Sequence, residues 1–438
     1  MLRTIFVLLL SAIGVGSIFT GGAFNALLYY LWIAHFRPEA WVWTDFIQSL
    51  NLSLIAGGAV VFVTIFSRER FRLTLRSGLL LAFLAQSLIS TMMSPHSSGC
   101  WPYFIDFAKS TLMTYLITTM VTDFDRFRRV VLIISLSLGF EAVKQGWVGL
   151  LLSPGTQNIN DSVTLGDNNG VAVGMMMLLG LVVALIGTAT RRWERIGYQV
   201  MALGILYRGV STYSRGGALG CLALLVWYVF RSKQKFLAVV SLVLACGVIL
   251  PILPTSFWDR MSTIGAATDN IEDADGSIRG RLNFWSSAVA MANARPFLGV
   301  GHNGFTFSYN EYDETNGAFG ENRSVHNSWL GVLAELGYPG FVLFAATIAL
   351  AFTACFRARR VAARGGPKCL ENYAFGLELG LVGFSVAGSF VIFQYTELLW
   401  HCIGLSAALH TLAVQADAAL KARRPEGPVA IVAAGTAA

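Results

Sequence analysis

Long apolar runs separated by short polar connections dominate the chain. Stretches long enough to cross about 30 Å of hydrocarbon fall near 48–66, 77–93, 103–121, 129–152, 170–189, 194–210, 214–230, 236–253, 326–353, 372–394 and 397–416. A further apolar region, 4–35, is broken at Gly21–Gly22 and reads as one tilted crossing or as two short half-helices. Its apolar start at Ile5 has the character of a first membrane segment rather than a cleavable leader. The pattern predicts an all-α fold, a polytopic membrane helical bundle of about twelve transmembrane helices. It divides the chain into N-terminal spans (1–253), a long loop (254–325), C-terminal spans (326–416) and a tail (417–438). The Ala-rich part of that tail after Pro425 has no core of its own and is expected to be disordered.

Composition agrees with this pattern. Of 438 residues, 55% are hydrophobic and only 13% charged, against about 25% charged in an ordinary soluble domain. Mean hydropathy is +0.60. Soluble globular, disordered and disulfide-scaffold classes are excluded. The 6 cysteines are scattered, several of them in apolar runs (Cys221, Cys246, Cys402). Only Cys100 falls in a segment placed outside the cytoplasm, so no disulfide framework is expected there.

Charge then orients the spans. The formal charge of +7 matters less than its placement. Basic clusters occupy alternate connections: Arg68 to Arg76, Arg126 to Arg129, Arg191 to Arg195, Arg231 to Lys235, Arg357 to Lys368, and Lys421 to Arg424. The positive-inside rule makes these cytoplasmic. Both termini are then cytoplasmic, provided 4–35 crosses once. The 254–325 loop becomes external, with nine acidic residues against five arginines and no lysine. Within it, Ser277 to Asn293 reads as an amphipathic helix with an apolar stripe of Leu282, Trp285, Val289 and Met291, ended by Pro296. No internal repeat is visible, which counts against an inverted-repeat transporter.

Several polar groups near the outer side need a reason. Ser211-Thr212-Tyr213-Ser214-Arg215-Gly216-Gly217 stands where one span ends and the next begins. Its glycines allow close backbone approach, and Arg215 offers a planar donor fork suited to phosphate; the plainer reading is an arginine snorkelling to lipid headgroups. Arg279 and Arg281 open the loop helix and have the chemistry to grip a pyrophosphate, or else they pair with the acidic run Asp273 to Asp275. His326-Asn327-Ser328-Trp329-Leu330 stands where the loop re-enters the membrane. A histidine there can deprotonate a hydroxyl, although a lone histidine is commonly structural. His302, in Gly299-Val300-Gly301-His302-Asn303, reads first as part of a turn. Lys109 with Asp106, and Lys144 with Glu141 at the i, i+3 spacing of a buried pair, read as structural partners that could add charge to an external cavity. Asp167-Asn168-Asn169 reads as a helix cap. No metal-ligand spacing, P-loop or dinucleotide fingerprint occurs. Neither metal, cofactor, nucleotide nor nucleic acid is called for.

Taken in order, the motifs resemble a known family. An SRGG-type arginine at 215 is followed by Arg-Leu-x-x-Trp (281–285), Pro-Phe-Leu-Gly-Val-Gly (296–301), and His-Asn-Ser-x-Leu…Glu-x-Gly (326–337). This resembles the O-antigen ligase and polymerase superfamily, the bacterial O-antigen ligases in particular. The N-terminal third, with Phe36-Arg37-Pro38-Glu39, is also similar to O-glycosylation ligases associated with exosortase systems. The specific motifs cover roughly 211–341.

The resemblance implies a bacterial inner-membrane glycosyltransferase of lipopolysaccharide biosynthesis, with its active site facing the periplasm. Such an enzyme transfers a glycan from undecaprenyl pyrophosphate to a hydroxyl of the lipid A–core oligosaccharide, without metal or nucleotide. Carried over by motif, Arg215 and Arg281 hold the pyrophosphate and His326 is the general base. Arg279 is a supporting donor, and Tyr213, Lys109 and Asn327 are substrate-binding candidates. Direct attack would invert the anomeric carbon. An O-antigen polymerase or a protein O-glycosylation ligase would use the same donor. A lipid-linked oligosaccharide transporter would share the spans and cations but need no base, and a scaffolding membrane protein would need none of the three residues.

Overall fold

A computed structural model describes residues 2–422 except 68, 70, 72, 260 and 263–275. The acidic run Asp273 to Asp275, part of the first basic cluster and residues 423–438 of the expected disordered tail lie outside the described residues, whereas 417–422, read as part of that tail, continue the last helix. The chain begins with α1 (Leu2–Phe36), and two short turns, α2 (Pro38–Trp41) and α3 (Asp45–Ser49), lead to α4 (Leu52–Ile65). Then come α5 (Leu75–Met92), α6 (Ser97–Met120), α7 (Phe124–Leu152) and α8 (Asn168–Thr188). The central part continues with α9 (Arg192–Val210), α10 (Arg215–Arg231) and α11 (Lys235–Ile249). The long loop contributes α12 (Gly276–Ala294) and α13 (Phe305–Tyr312), and α14 (Ser328–Ala363), α15 (Lys368–Ala387) and α16 (Glu397–Ala422) finish the bundle. The fold is an all-α polytopic membrane bundle. Among the described residues eight helices are long and apolar enough to cross a membrane: α1, α5, α7, α8, α11, α14, α15 and α16.

Burial follows the sequence pattern. Helix α8 is apolar on every side, and Gly170 through Val182 are all buried, as expected of a central helix. It packs tightly on α15: a Cβ on Gly180 would come within 2.4 Å of the Gly376 carbonyl oxygen, and one on Gly376 equally close to that of Gly180. Small residues at such a crossing let two backbones approach in lipid.

One expectation about topology is corrected. Gly22 has φ +61°, and α1 reverses there instead of continuing. The Asn25 amide donates back to the Ser17 carbonyl (2.9 Å). The Arg3 guanidinium lies 4.3 Å from the Trp43 ring centroid, and the Thr4 and Thr44 hydroxyls are 2.9 Å apart. Residues 2–36 are therefore a helical hairpin that passes the bundle twice. Its second arm buries Phe24, Leu27 and Leu31 in the core, while the first exposes Leu2, Leu8 and Phe19. The turn at Gly22 is near the basic clusters, with Arg126 over the Phe24 ring at 4.8 Å. Residue 3 thus lies at the face opposite Asp417, which pairs with Arg364 (2.9 Å). A single crossing with both ends on the basic side does not hold.

Two other details differ. Helix α12 matches the predicted helix within a residue at each end, but Leu282 and Val289 are exposed, and Phe284, Ala288, Met291 and Ala292 form the buried side. The small residues let the helix settle on α14, so packing decided the buried face rather than side-chain size. Lys144 and Glu141 do pair (2.8 Å), yet both side chains are about half exposed rather than buried.

The face carrying the basic clusters is called here the basic face, and the opposite one, with α12 and α13, the loop face. At the loop face α14 is broken. Gly337 has φ +68° and Pro339 supplies no amide, leaving carbonyls 334–336 without helical partners. The Pro296–Gly301 segment takes them: Val300 N donates to Ala334 O (3.0 Å), Gly301 N to Glu335 O (3.0 Å), and Tyr338 N to Pro296 O (2.8 Å). From α5, the Gln86 amide donates to the carbonyls of Phe297 (2.7 Å) and Leu336 (2.9 Å). The long loop is thereby clamped into the bundle.

Candidate functional site

Four segments far apart in sequence meet at the loop face. The first is the turn between α9 and α10. Ser214 caps α10, its hydroxyl accepting from Gly217 N (3.1 Å). Two glycines follow Arg215 because space is short: a Cβ on Gly216 would sit 2.6 Å from Phe390, and one on Gly217 2.5 Å from Ala172. The second segment is the start of α8. Asp167 caps it, accepting from Gly170 N (2.9 Å). Asn169 joins the two segments by accepting from the Ser214 hydroxyl (2.8 Å), and the Asn168 amide donates to the Thr212 carbonyl (3.2 Å).

The third segment carries His326. Asn327 is the N-cap of α14, its side-chain oxygen accepting from Trp329 N (2.9 Å) and Leu330 N (3.1 Å). The Ser328 hydroxyl donates to the Val391 carbonyl (2.8 Å). His326 itself has φ +47°, a left-handed conformation that a non-glycine residue adopts at a cost of order 1 kcal/mol. The fourth segment, α12, supplies Phe284, whose ring centroid is 6.3 Å from that of His326, and Trp285, whose indole donates to the Val325 carbonyl (3.2 Å).

Electrostatics tie these segments together. His326 is held below its ordinary pKa first by burial, then by the positive charges of Arg281 and Arg323, with Asp167 acting in the opposite sense. Its imidazole is neutral near pH 7. Arg281 on α12, His326 before α14 and Asp167 before α8 therefore act on one spot, and Arg215 follows Ser214 in the turn bonded to the start of α8. Both Arg215 and Arg281 are engaged within the protein.

The other predicted residues fall elsewhere. Arg279 is exposed and stands two residues, about 200° of helix rotation, from Arg281, so the two forks leave α12 on different sides. Tyr213 has φ +56°, is buried, donates its hydroxyl to the Gly155 carbonyl and packs edge-on to Phe257; it anchors the turn that presents Arg215. Lys109 pairs with Asp106 (2.9 Å) and lines a cavity of about 780 Å³ between α1, α4 and α6, apart from the His326 cluster. His302 is in the expected turn but fully buried, its Nδ1 2.7 Å from the Ser87 hydroxyl and its ring 3.8 Å from that of Tyr395. Tyr395 donates to the Glu335 carboxylate (2.8 Å), a buried network that fastens the clamped loop. Asp167 was legible only as a cap; its effect on His326 had no local signal. Among the described residues no three His, Cys, Asp or Glu side chains group as metal ligands.

Residues 202–345, which include Arg215, Arg281 and His326, match the O-antigen ligase family. Residues 1–191, which include Lys109 and Asp167, match a family of unknown function. No curated protein matches the chain. The match agrees with the ordered motifs read from the sequence and supports ligase- or polymerase-type enzymatic function in general. On this multi-pass helical bundle, it is thus the region 202–345 that is similar to the O-antigen ligase family.

Proposed function

We propose that the chain is a metal-independent O-antigen ligase of a bacterial inner membrane, acting at the periplasmic face. It moves a glycan from undecaprenyl pyrophosphate to a sugar hydroxyl of lipid A–core. His326 takes the acceptor's hydroxyl proton as the oxygen attacks the anomeric carbon. The bond from that carbon to the pyrophosphate breaks, and its electrons leave with undecaprenyl pyrophosphate. Arg215 and Arg281 stabilise the growing negative charge, and inversion at the anomeric carbon follows from direct attack. The observation that carries this reading is the neutral, half-buried imidazole of His326, held in left-handed backbone beside Arg281. A base with a lowered pKa suits proton abstraction near neutrality.

The test is transfer in vitro with purified chain, lipid-linked donor and lipid A–core. His326→Asn is the variant of choice, because Asn tolerates left-handed backbone. Transfer should fall by about 10²- to 10⁴-fold with unchanged melting, and near-normal transfer would refute the base. Arg215→Lys should lose about tenfold or more, since a lysine lacks the bidentate fork. A second lipid-linked glycan offered as acceptor separates ligase from polymerase, and a retained product would exclude direct attack.

A further inference from the structure

A second polar pocket lies where residues 161–165 meet α1, α7 and α8. It is a cavity of about 220 Å³ lined, among others, by Arg37, Trp41, Gln145, Thr164 and Arg208. Three of these residues carry a buried donor nitrogen with no hydrogen-bond partner: Arg37 Nε, Trp41 Nε1 and Arg208 Nη1. Arg208 is the most telling. It is 3% exposed, and its one hydrogen bond among the described residues goes from Nη2 to the Asn160 carbonyl (2.7 Å). A carbonyl satisfies a hydrogen bond but does not balance a charge, and a buried charge left unbalanced costs several kcal/mol. The acids at this cavity do not supply the balance. Glu141 is held by Lys144 (2.8 Å), and Asp161 is exposed and makes no ion pair with Arg208. Arg37 is held in left-handed backbone with φ +51°; its Nη1 pairs with Glu39 (3.5 Å) and donates to the Ser53 hydroxyl (3.0 Å), and Glu397 is a further carboxylate within its electrostatic reach, but its Nε has no partner.

Three spare donors, two of them on guanidinium groups, at a cavity the size of one sugar ring call for an oxyanion. We propose that Arg208 and Arg37 form a site for a sugar-borne phosphate or carboxylate. Gln145 and Thr164 offer partners for sugar hydroxyls, and the Trp41 indole offers a further donor. That the anion is borne on a sugar rests on the transferase reading; the anion site itself does not. The segment that lines this pocket is tied to the turn that presents Arg215, where Asn158 N donates to the Ser211 carbonyl (2.8 Å). An acidic sugar in the second pocket would thus be held close to the His326 cluster.

The experiment is calorimetric titration of the full chain in lipid nanodiscs with glucose 1-phosphate, glucuronate, neutral glucose and inorganic phosphate. It is run on the wild type, on Arg208→Gln, and on Arg281→Gln as a control for the His326 cluster. At least one sugar acid should bind, with glucose silent. Arg208→Gln should weaken that binding tenfold or more, and Arg281→Gln should leave it intact. Binding indifferent to Arg208→Gln, binding of inorganic phosphate but of neither sugar acid, or no binding at millimolar concentration would each overturn the proposal. Should Arg208→Gln fold poorly, Arg37→Gln, on a more exposed residue, replaces it with the same expectation. None of these readouts measures transfer, so the His326 assignment stands or falls separately.

Discussion

The two ends of the bundle treat their arginines differently. At the basic face, four arginines meet carboxylates, Arg126 with Glu69 (3.0 Å), Arg128 with Glu194 (3.1 Å), and Arg231 and Arg359 both with the fully buried Glu378 (2.9 and 3.6 Å), while Arg76 donates to the Leu350 carbonyl (3.5 Å). At the loop face, Arg208 donates to the Asn160 carbonyl (2.7 Å), Arg295 to that of Met93 (2.8 Å) and Arg323 to that of Phe319 (2.7 Å). Backbone strain divides the same way. Among the described residues, the non-glycine positions with positive φ are Arg37, Tyr213, Asn303, Asn316, Asn322 and His326, all at the loop face. One end is electrostatically closed and relaxed. The other seats Arg208, Arg295 and Arg323 on backbone carbonyls and holds its backbone in costly conformations, a combination that marks candidate functional sites.

The comparison breaks most visibly at Glu378. Replacing it with Gln leaves two arginines without a counter-ion and should cost about 3 kcal/mol, the lower end for a broken buried pair because both arginines are partly exposed. Detergent-solubilised variant should melt well below wild type, while transfer per folded molecule stays unchanged. Equal melting would mean the basic face is no more closed than the other.

Next in size is Gly337→Ala at the break in α14. A Cβ there would lie 2.5 Å from the Pro296 carbonyl oxygen, at a φ of +68°. The loss should be about 2 kcal/mol. Because the Pro296–Gly301 clamp positions the whole long loop, transfer should fall as well. Stability loss with full transfer would show that the clamp does not hold the site.

How much of this was legible in the sequence depended on the range of the interactions. Helix α12, the turn at Arg215 and the cap at Asp167 are local devices and were readable from a few neighbouring residues. The hairpin was half legible. Gly21–Gly22 marked a break, but an apolar run has the same pattern whether it continues or folds back, and contacts such as Asn25 with Ser17, Thr4 with Thr44 and Arg3 with Trp43 decide it. The Gly337–Pro339 break was printed in the sequence and could have been read as one. Its partner, 36 to 41 residues upstream, could not. Asp167 and His326 are 159 residues apart, so no periodicity or spacing brings them together.

A smaller effect should appear at His326 itself. His326→Gly removes left-handed strain worth about 1 kcal/mol, partly offset by the greater freedom of glycine in the unfolded chain. The variant should melt no lower than wild type while losing transfer. A clear drop in melting would instead assign the histidine a structural role.

The smallest expected effect is the most specific. Activity that needs neutral His326 falls as pH drops through its pKa, which burial and Arg281 hold below the ordinary value. Arg323→Gln removes a positive charge that also lowers it, so the imidazole should protonate more readily and the acid limb should move to higher pH. Asp167→Asn removes the negative charge that raises it, and Asn caps a helix as well as Asp, so that limb should move to lower pH. Neither substitution touches the residues assigned to the pyrophosphate, so the plateau rates should stay close to wild type. Opposite shifts from two charges of opposite sign acting on one imidazole are what a titrating base at this position requires, and limbs that moved together or not at all would place the titrating group elsewhere.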